Sequence, residues 1–166
     1  KATDIESDLD SIFATLDTFG FNILFTYANA DYGGKIINQY IESFCKNNPQ
    51  KYKVVKSLGQ VKYLSAMKHA DLLIGNSSSG IIESASFKKP VINIGDRQKG
   101  RLKNQNVIDC NIEKLKESIM TALSESFRNK INNIDNIYGN GKTADFIVDR
   151  LINEPLSVIK KFRDQV

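Results

Sequence analysis

Residues 71–101 read DLLIGNSSSGIIESASFKKPVINIGDRQKGR, and no other stretch narrows the choice of fold as far. Leu72-Leu73-Ile74 is a short apolar run closed by Gly75, the pattern of a buried strand. Asn76-Ser77-Ser78-Ser79-Gly80 follows, small residues that let a ligand approach the backbone and whose hydroxyls can cap a helix. Ile81, Ile82, Ala85 and Phe87 then recur at helical spacing. Pro90 ends that helix, and Val91-Ile92-Asn93-Ile94 gives a second buried strand. The unit is strand, hydroxyl-rich turn, helix, strand.

The rest of the chain repeats this alternation. Apolar spacing predicts a helix over 4–19, with Thr3 or Asp4 as its cap and Gly20 as its stop. A strand over 21–27 leads into the loop 28–34, and a helix over 35–47 turns Ile36, Ile37, Tyr40, Ile41 and Phe44 inward. A strand over 52–56 and a turn at 57–59 precede a helix over 60–69. Beyond the central unit, 106–110 reads as a last strand. A helix over 112–128 rests on Leu115, Ile119, Met120, Leu123 and Phe127, and another spans 143–152. The β-α alternation predicts one α/β domain over 1–166, an open parallel sheet with helices on both faces. Such sheets bind ligands beyond the carboxyl ends of their strands. The loops 28–34, 57–59, 76–80 and 95–101 lie there, and they hold the chain's unusual residues.

Composition removes several alternatives. The chain has 166 residues, 41% hydrophobic and 25% charged, enough for one globular core. No apolar run approaches the roughly 20 residues of a membrane helix, so no membrane role is expected. A net charge of +4 suits an anionic ligand but is too small and dispersed for nucleic acid. Cys45 and Cys110 read as reduced core residues of a cytoplasmic protein. The start at Lys1-Ala2-Thr3-Asp4 reads as a piece of a longer protein without a secretory signal.

The serine turn is a natural anion site, because the first N–H groups of a helix lack intrahelical partners and its end carries partial positive charge. Ser77, Ser78 and Ser79 add donors. Glu83, one turn on, would repel a phosphate but can accept both hydroxyls of a vicinal diol such as ribose. Together they read as a nucleotide site. The turn alone is equally compatible with serines that only cap a helix and a solvated first-turn acid. Other motifs fail. Gly139-Asn140-Gly141-Lys142-Thr143 lacks the earlier glycine and the preceding strand of a phosphate loop, leaving Thr143 as a helix cap. No dinucleotide fingerprint follows Tyr27, and His69 stands at the wrong end of the sheet for catalysis. One His and two distant Cys make no metal site.

ANADYGG, SLGQVKYLSAMKHADLLIGNSSSGIIESASFKKPVINIGDRQKGR, NVIDC and YGNGKTADFIVDRL resemble the carboxyl-terminal half of UDP-N-acetylglucosamine 2-epimerases. The hydrolysing branch of sialic-acid biosynthesis is the closer match, since Ser84 stands where the non-hydrolysing branch has a second Glu. The resemblance implies a Rossmann-like domain, the second of a GT-B-like two-domain enzyme. It implies Ser77 and Ser78 on the diphosphate, Glu83 on the ribose and Arg97 facing the phosphates. Asn29 would touch the nucleotide, the backbone at Ser57 and Leu58 would read uracil, and Gly80 would keep the helix start open. Arg97 as a plain surface charge and Asn29 as a turn former are the alternatives.

The implied partners are UDP-N-acetylglucosamine or UDP, the amino-terminal domain of the same chain, and further copies in a homo-oligomer. No cofactor is implied. The proton-transfer carboxylates and a cleft histidine belong to the missing half, so no catalytic residue is expected here. Residues 155–166 would pack on the absent first domain. The donor domain of a GT-B glycosyltransferase is the competing enzyme reading. A flavodoxin-like module is the non-enzymatic one.

Overall fold

A computed structural model describes residues 5–29 and 33–155. The β-branched and aromatic runs form five short strands, β1 Ile23–Thr26, β2 Tyr52–Val55, β3 Leu73–Gly75, β4 Val91–Ile94 and β5 Val107–Cys110. Around them lie α1 Ile5–Asp17, α2 Gly34–Asn47, α3 Gly59–His69, α4 Ser78–Ile82, α5 Leu115–Leu123, α6 Glu125–Ile131 and α7 Thr143–Asn153. All strand pairing is parallel, as the βα alternation predicts. β1 pairs with β2, Ile23 opposite Tyr52, and β3, β4 and β5 form a second ladder with Ile74 opposite Ile92 and Ile92 opposite Ile108. Among the described residues no ladder joins β1 to β3, so the expected sheet is hydrogen-bonded in two parts.

One apolar cluster spans both parts. Alternation along a strand sends successive residues to opposite faces. Ile23, Phe25, Tyr52, Ile74, Ile92 and Ile108 all point to the face covered by α1, α2 and α5, where they meet Leu9, Phe13, Ile41, Leu115 and Ile119. Phe44 of α2 stacks between Phe13 and Tyr52, with ring centroids 4.4 and 4.7 Å away. On the other face α4 covers the second ladder, where Val91 lies against Gly80. Over β1 that face is more open, and Leu24 is 47% exposed.

Three elements depart from the periodicity. The helix expected to run through Phe87 stops as an α-helix at Ile82 and continues as a 3-10 turn over Ser84–Phe87. Ser84 Oγ donates back to the Gly80 carbonyl, a bond that competes with the helical ladder. The helix expected over 112–128 breaks at Ser124, which is extended at φ −64° and ψ 147° and accepts from Phe127 N at 3.2 Å. That cap ends α5 and starts α6, letting Ile131 reach the interior at 1% exposure. Met120, expected inside, is 60% exposed, because Leu115, Ile119 and Ala122 already fill the inward stripe. Thr143 is the first residue of α7 and not its cap; just ahead of it Asn140 Oδ1 accepts from Lys142 N. The predicted caps Thr3 and Asp4 and the segment 156–166 lie outside the described residues.

Candidate functional site

β3 ends at Gly75, and the chain turns through Asn76 into the serines. Ser77 is extended, at φ −73° and ψ 141°, and its Oγ accepts from Ser79 N at 3.3 Å. Gly80 N donates to Ser77 O at 3.2 Å. The amides of Ser79 and Gly80 are therefore spent inside the turn. α4 has five residues. So short a helix has little macrodipole.

The three serines do not act alike. Ser77 and Ser78 carry hydroxyls at the mouth of the turn. Ser79 Oγ lies 2.6 Å from Glu83 Oε2 and 2.8 Å from Tyr63 Oη. A carboxylate only accepts, so the Ser79 hydroxyl donates to Glu83. The expectation that Ser79 adds a donor for an anion is therefore corrected. Glu83, half-buried at the end of α4, is the only acid this turn carries, and Ser79 fixes it on the same face as the serine mouth.

Gly80 is also placed differently. It is buried, and a Cβ added there would lie 3.1 Å from Val91 Cγ1. Its lack of a side chain seats α4 on β4. Ser84 is likewise buried, held by Asn106 Nδ2 at 2.8 Å.

Arg97 and Gln98, in the loop after β4, reach across to the serine turn. Arg97 Nη1 donates to the Asn76 carbonyl at 3.2 Å, and Gln98 Nε2 donates to the same oxygen at 2.8 Å. Gln98 is buried at 3% exposure. The base of the loop is held by Asp109 of β5, which accepts from Lys103 Nζ at 2.7 Å and from Asn93 Nδ2 at 2.7 Å. Burial acts to raise the Asp109 carboxyl, but these hydrogen bonds and the Lys103 charge outweigh it and hold the group below its usual value. Ser77, Ser78, Glu83 and Arg97 are thus brought together.

The remaining predicted residues stand at the ends of the other ladder. Asn29, just beyond β1, is exposed beside a surface hollow of about 400 Å³ lined also by Tyr27, Lys35 and Asn38. Asn38 Oδ1 accepts from Ala28 N at 2.8 Å, and a Cβ on Gly34 would come within 2.2 Å of Asn29 O. Only glycine allows α2 to start so close to this backbone. Ser57 is exposed after β2, its Oγ accepting from Gly59 N at 3.2 Å, and Leu58 leads into α3.

Sequence reasoning missed Tyr63 and Gln98. Tyr63 shares a helical stripe with Met67 and reads as core. Gln98 stood next to Arg97 in the quoted motif, and its position was the only signal it gave.

Comparison with known proteins gives a consistent picture. The family model described as UDP-N-acetylglucosamine 2-epimerase matches residues 1–152. A GDP/UDP-N,N'-diacetylbacillosamine 2-epimerase (hydrolyzing) of Campylobacter jejuni is 46% identical over 124 residues, covering 74% of this chain and 32% of that protein. The polysialic acid biosynthesis protein P7 of Escherichia coli is 35% identical over 162 residues, covering 95% of this chain and 39% of that protein. Among solved structures, the UDP-GlcNAc 2-epimerase of Methanocaldococcus jannaschii, crystallised with UDP-GlcNAc and UDP, superposes with a TM-score of 0.68. It is 22% identical and covers 89% of this chain and 40% of that one. That likeness bears out the Rossmann-like α/β fold. The chain spans between 32% and 40% of the length of these proteins.

Proposed function

The chain belongs to the UDP-N-acetylglucosamine 2-epimerase family, and on that premise we propose that it is the UDP-holding half of a hydrolysing 2-epimerase. The whole enzyme would eliminate UDP from UDP-N-acetylglucosamine and add water to release N-acetylmannosamine for sialic-acid-type sugars. The observation that carries this reading is the pairing, at the two ends of one five-residue helix, of the Ser77 cap with the Ser79-held Glu83. A helix start suits a diphosphate and a fixed carboxylate suits the ribose diol. Arg97, anchored at the same turn, adds positive charge.

In the elimination a base removes the C2 proton, the C1–O bond breaks, and its electron pair leaves on the diphosphate. Water then adds to the unsaturated sugar. Charge grows on the leaving group, so Ser77, Ser78 and Arg97 would lower the barrier as well as bind. Asn29 and the backbone of Ser57 and Leu58 would receive the rest of the nucleotide. The proton-transfer groups would come from an amino-terminal domain, against which the exposed apolar residues of α7, among them Phe146, Leu151 and Ile152, would pack. This chain alone would bind UDP weakly and turn over nothing.

One observation favours a second sugar. The 46% identity is to an enzyme named for a diacetamido sugar. The nucleotide half would serve either substrate, since the sugar contacts fall to the other domain. Family membership favours both readings over a GT-B glycosyltransferase. Calorimetry with UDP, and with FMN as the control, tests the site; Glu83→Ala should weaken UDP binding by about 1–3 kcal/mol. Full-length enzyme given UDP-N-acetylglucosamine or its diacetamido counterpart should release a free 2-epimerised sugar. Transfer to an acceptor without free sugar would refute the proposal.

A further inference from the structure

Glu83 is offered above as the ribose acid, and the inference here rests on that reading. A glutamate on a short helix has three rotatable bonds and can sample many positions. In this chain it does not stand alone. Ser79, one turn earlier on α4, holds Oε2 at 2.6 Å, a short charge-assisted bond. Ser79 is itself 2.8 Å from Tyr63 Oη on α3. Ser79 Oγ donates along both contacts, the shorter one to the carboxylate and the longer to the phenol. The phenol fixes where the serine hydroxyl sits. A half-buried tyrosine of one helix thereby sets the carboxylate of another.

We propose that Tyr63, acting through Ser79, is a positioning residue that holds Glu83 in the orientation that reads a vicinal diol. Tyr63 touches no ligand. Its contribution is to pre-order a side chain that would otherwise be immobilised on binding. The pinned Oε2 leaves Oε1 and the outer lone pair of Oε2 for the two hydroxyls. α3 starts at the Leu58–Gly59 turn, so the helix that aims the ribose acid also follows directly from the turn proposed to read uracil.

The test compares UDP with 2′,3′-dideoxy-UDP, which keeps base and diphosphate but lacks the diol. Calorimetry would be run on the full chain and on Tyr63→Phe, Ser79→Ala, their double variant and Glu83→Gln. Tyr63→Phe and Ser79→Ala should each weaken UDP by about 3- to 10-fold, the loss expected when a side chain must be ordered on binding. Binding of the dideoxy nucleotide should not change. The double variant should be no worse than Ser79→Ala, because Tyr63 works only through the serine. Equal weakening of both nucleotides by Tyr63→Phe would mean general support of the fold and would overturn the proposal. So would an unchanged UDP preference in Tyr63→Phe and Ser79→Ala when Glu83→Gln abolishes it; the ribose reading of Glu83 would then survive alone. A UDP preference that persists in Glu83→Gln would remove the ribose reading, and this inference with it.

Discussion

Asn106 offers the most direct test of how the 3-10 turn after Glu83 is held. The residue is fully buried at 0% exposure, and its Nδ2 donates to Ser84 Oγ at 2.8 Å and to the Lys89 carbonyl at 2.7 Å. It therefore clamps both ends of the 3-10 turn that follows Glu83. Asn106→Ala removes two hydrogen bonds, about 1 kcal/mol each, and leaves the Lys89 carbonyl short of a partner at about 1–2 kcal/mol more. Asn106 Oδ1 is itself buried without a partner, so its removal returns about 1 kcal/mol. The net expected loss is about 2–3 kcal/mol. With a urea dependence of about 2 kcal/mol per molar, the unfolding midpoint should fall by about 1–1.5 M, at unchanged slope, when followed by far-ultraviolet circular dichroism. Asn106→Asp should fall further, since a carboxylate cannot donate to the Lys89 carbonyl. A midpoint shift for Asn106→Ala under about 0.3 M, slope unchanged, would refute the claim that these two bonds hold the turn.

Three further outcomes follow from the same coordinates. Tyr52 donates to Asp17 Oδ1 at 2.5 Å; that bond first, then burial and the Asp17 charge, push its phenol up to about 12. A raised phenol stabilises the fold fully below its unfolded value of about 10, and that contribution is lost as pH rises through about 12. The difference in tyrosinate absorbance between the chain and Tyr52→Phe should place the Tyr52 transition near pH 12, and Asp17→Asn should lower it. The lowered Asp109 carboxyl acts oppositely. Its stabilisation is present above the unfolded value of about 4 and lost as pH falls through the lower folded value, and Lys103→Met should move that carboxyl upward in an NMR titration. Ser124→Ala should cost about 1 kcal/mol in thermal unfolding by removing the α6 cap, and Ser124→Thr should largely restore it.

The parallel fold was legible because each strand of the second ladder contains a short apolar run, Leu73-Ile74, Val91-Ile92 or Val107-Ile108, next to a helical stripe. The site was legible where one short motif contains its own partners, as Ser77, Ser79 and Glu83 do. It was not legible where a distant residue decides. Ser84 shortens α4 through a bond that Asn106 supports from 22 positions away. Gly80 looked like an opening for a ligand, and only the placement of β4 shows that its missing side chain accommodates Val91. Ser124 carried a cap signal, but the apolar spacing across it read as one helix. Tyr63 had the spacing of a core residue, and no local pattern records that its hydroxyl lies against another helix.

The carbonyl of Asn76 accepts from both Arg97 and Gln98. Two consecutive residues of one loop therefore meet on one oxygen. A modest rotation of that peptide plane would undo both attachments in the same instant.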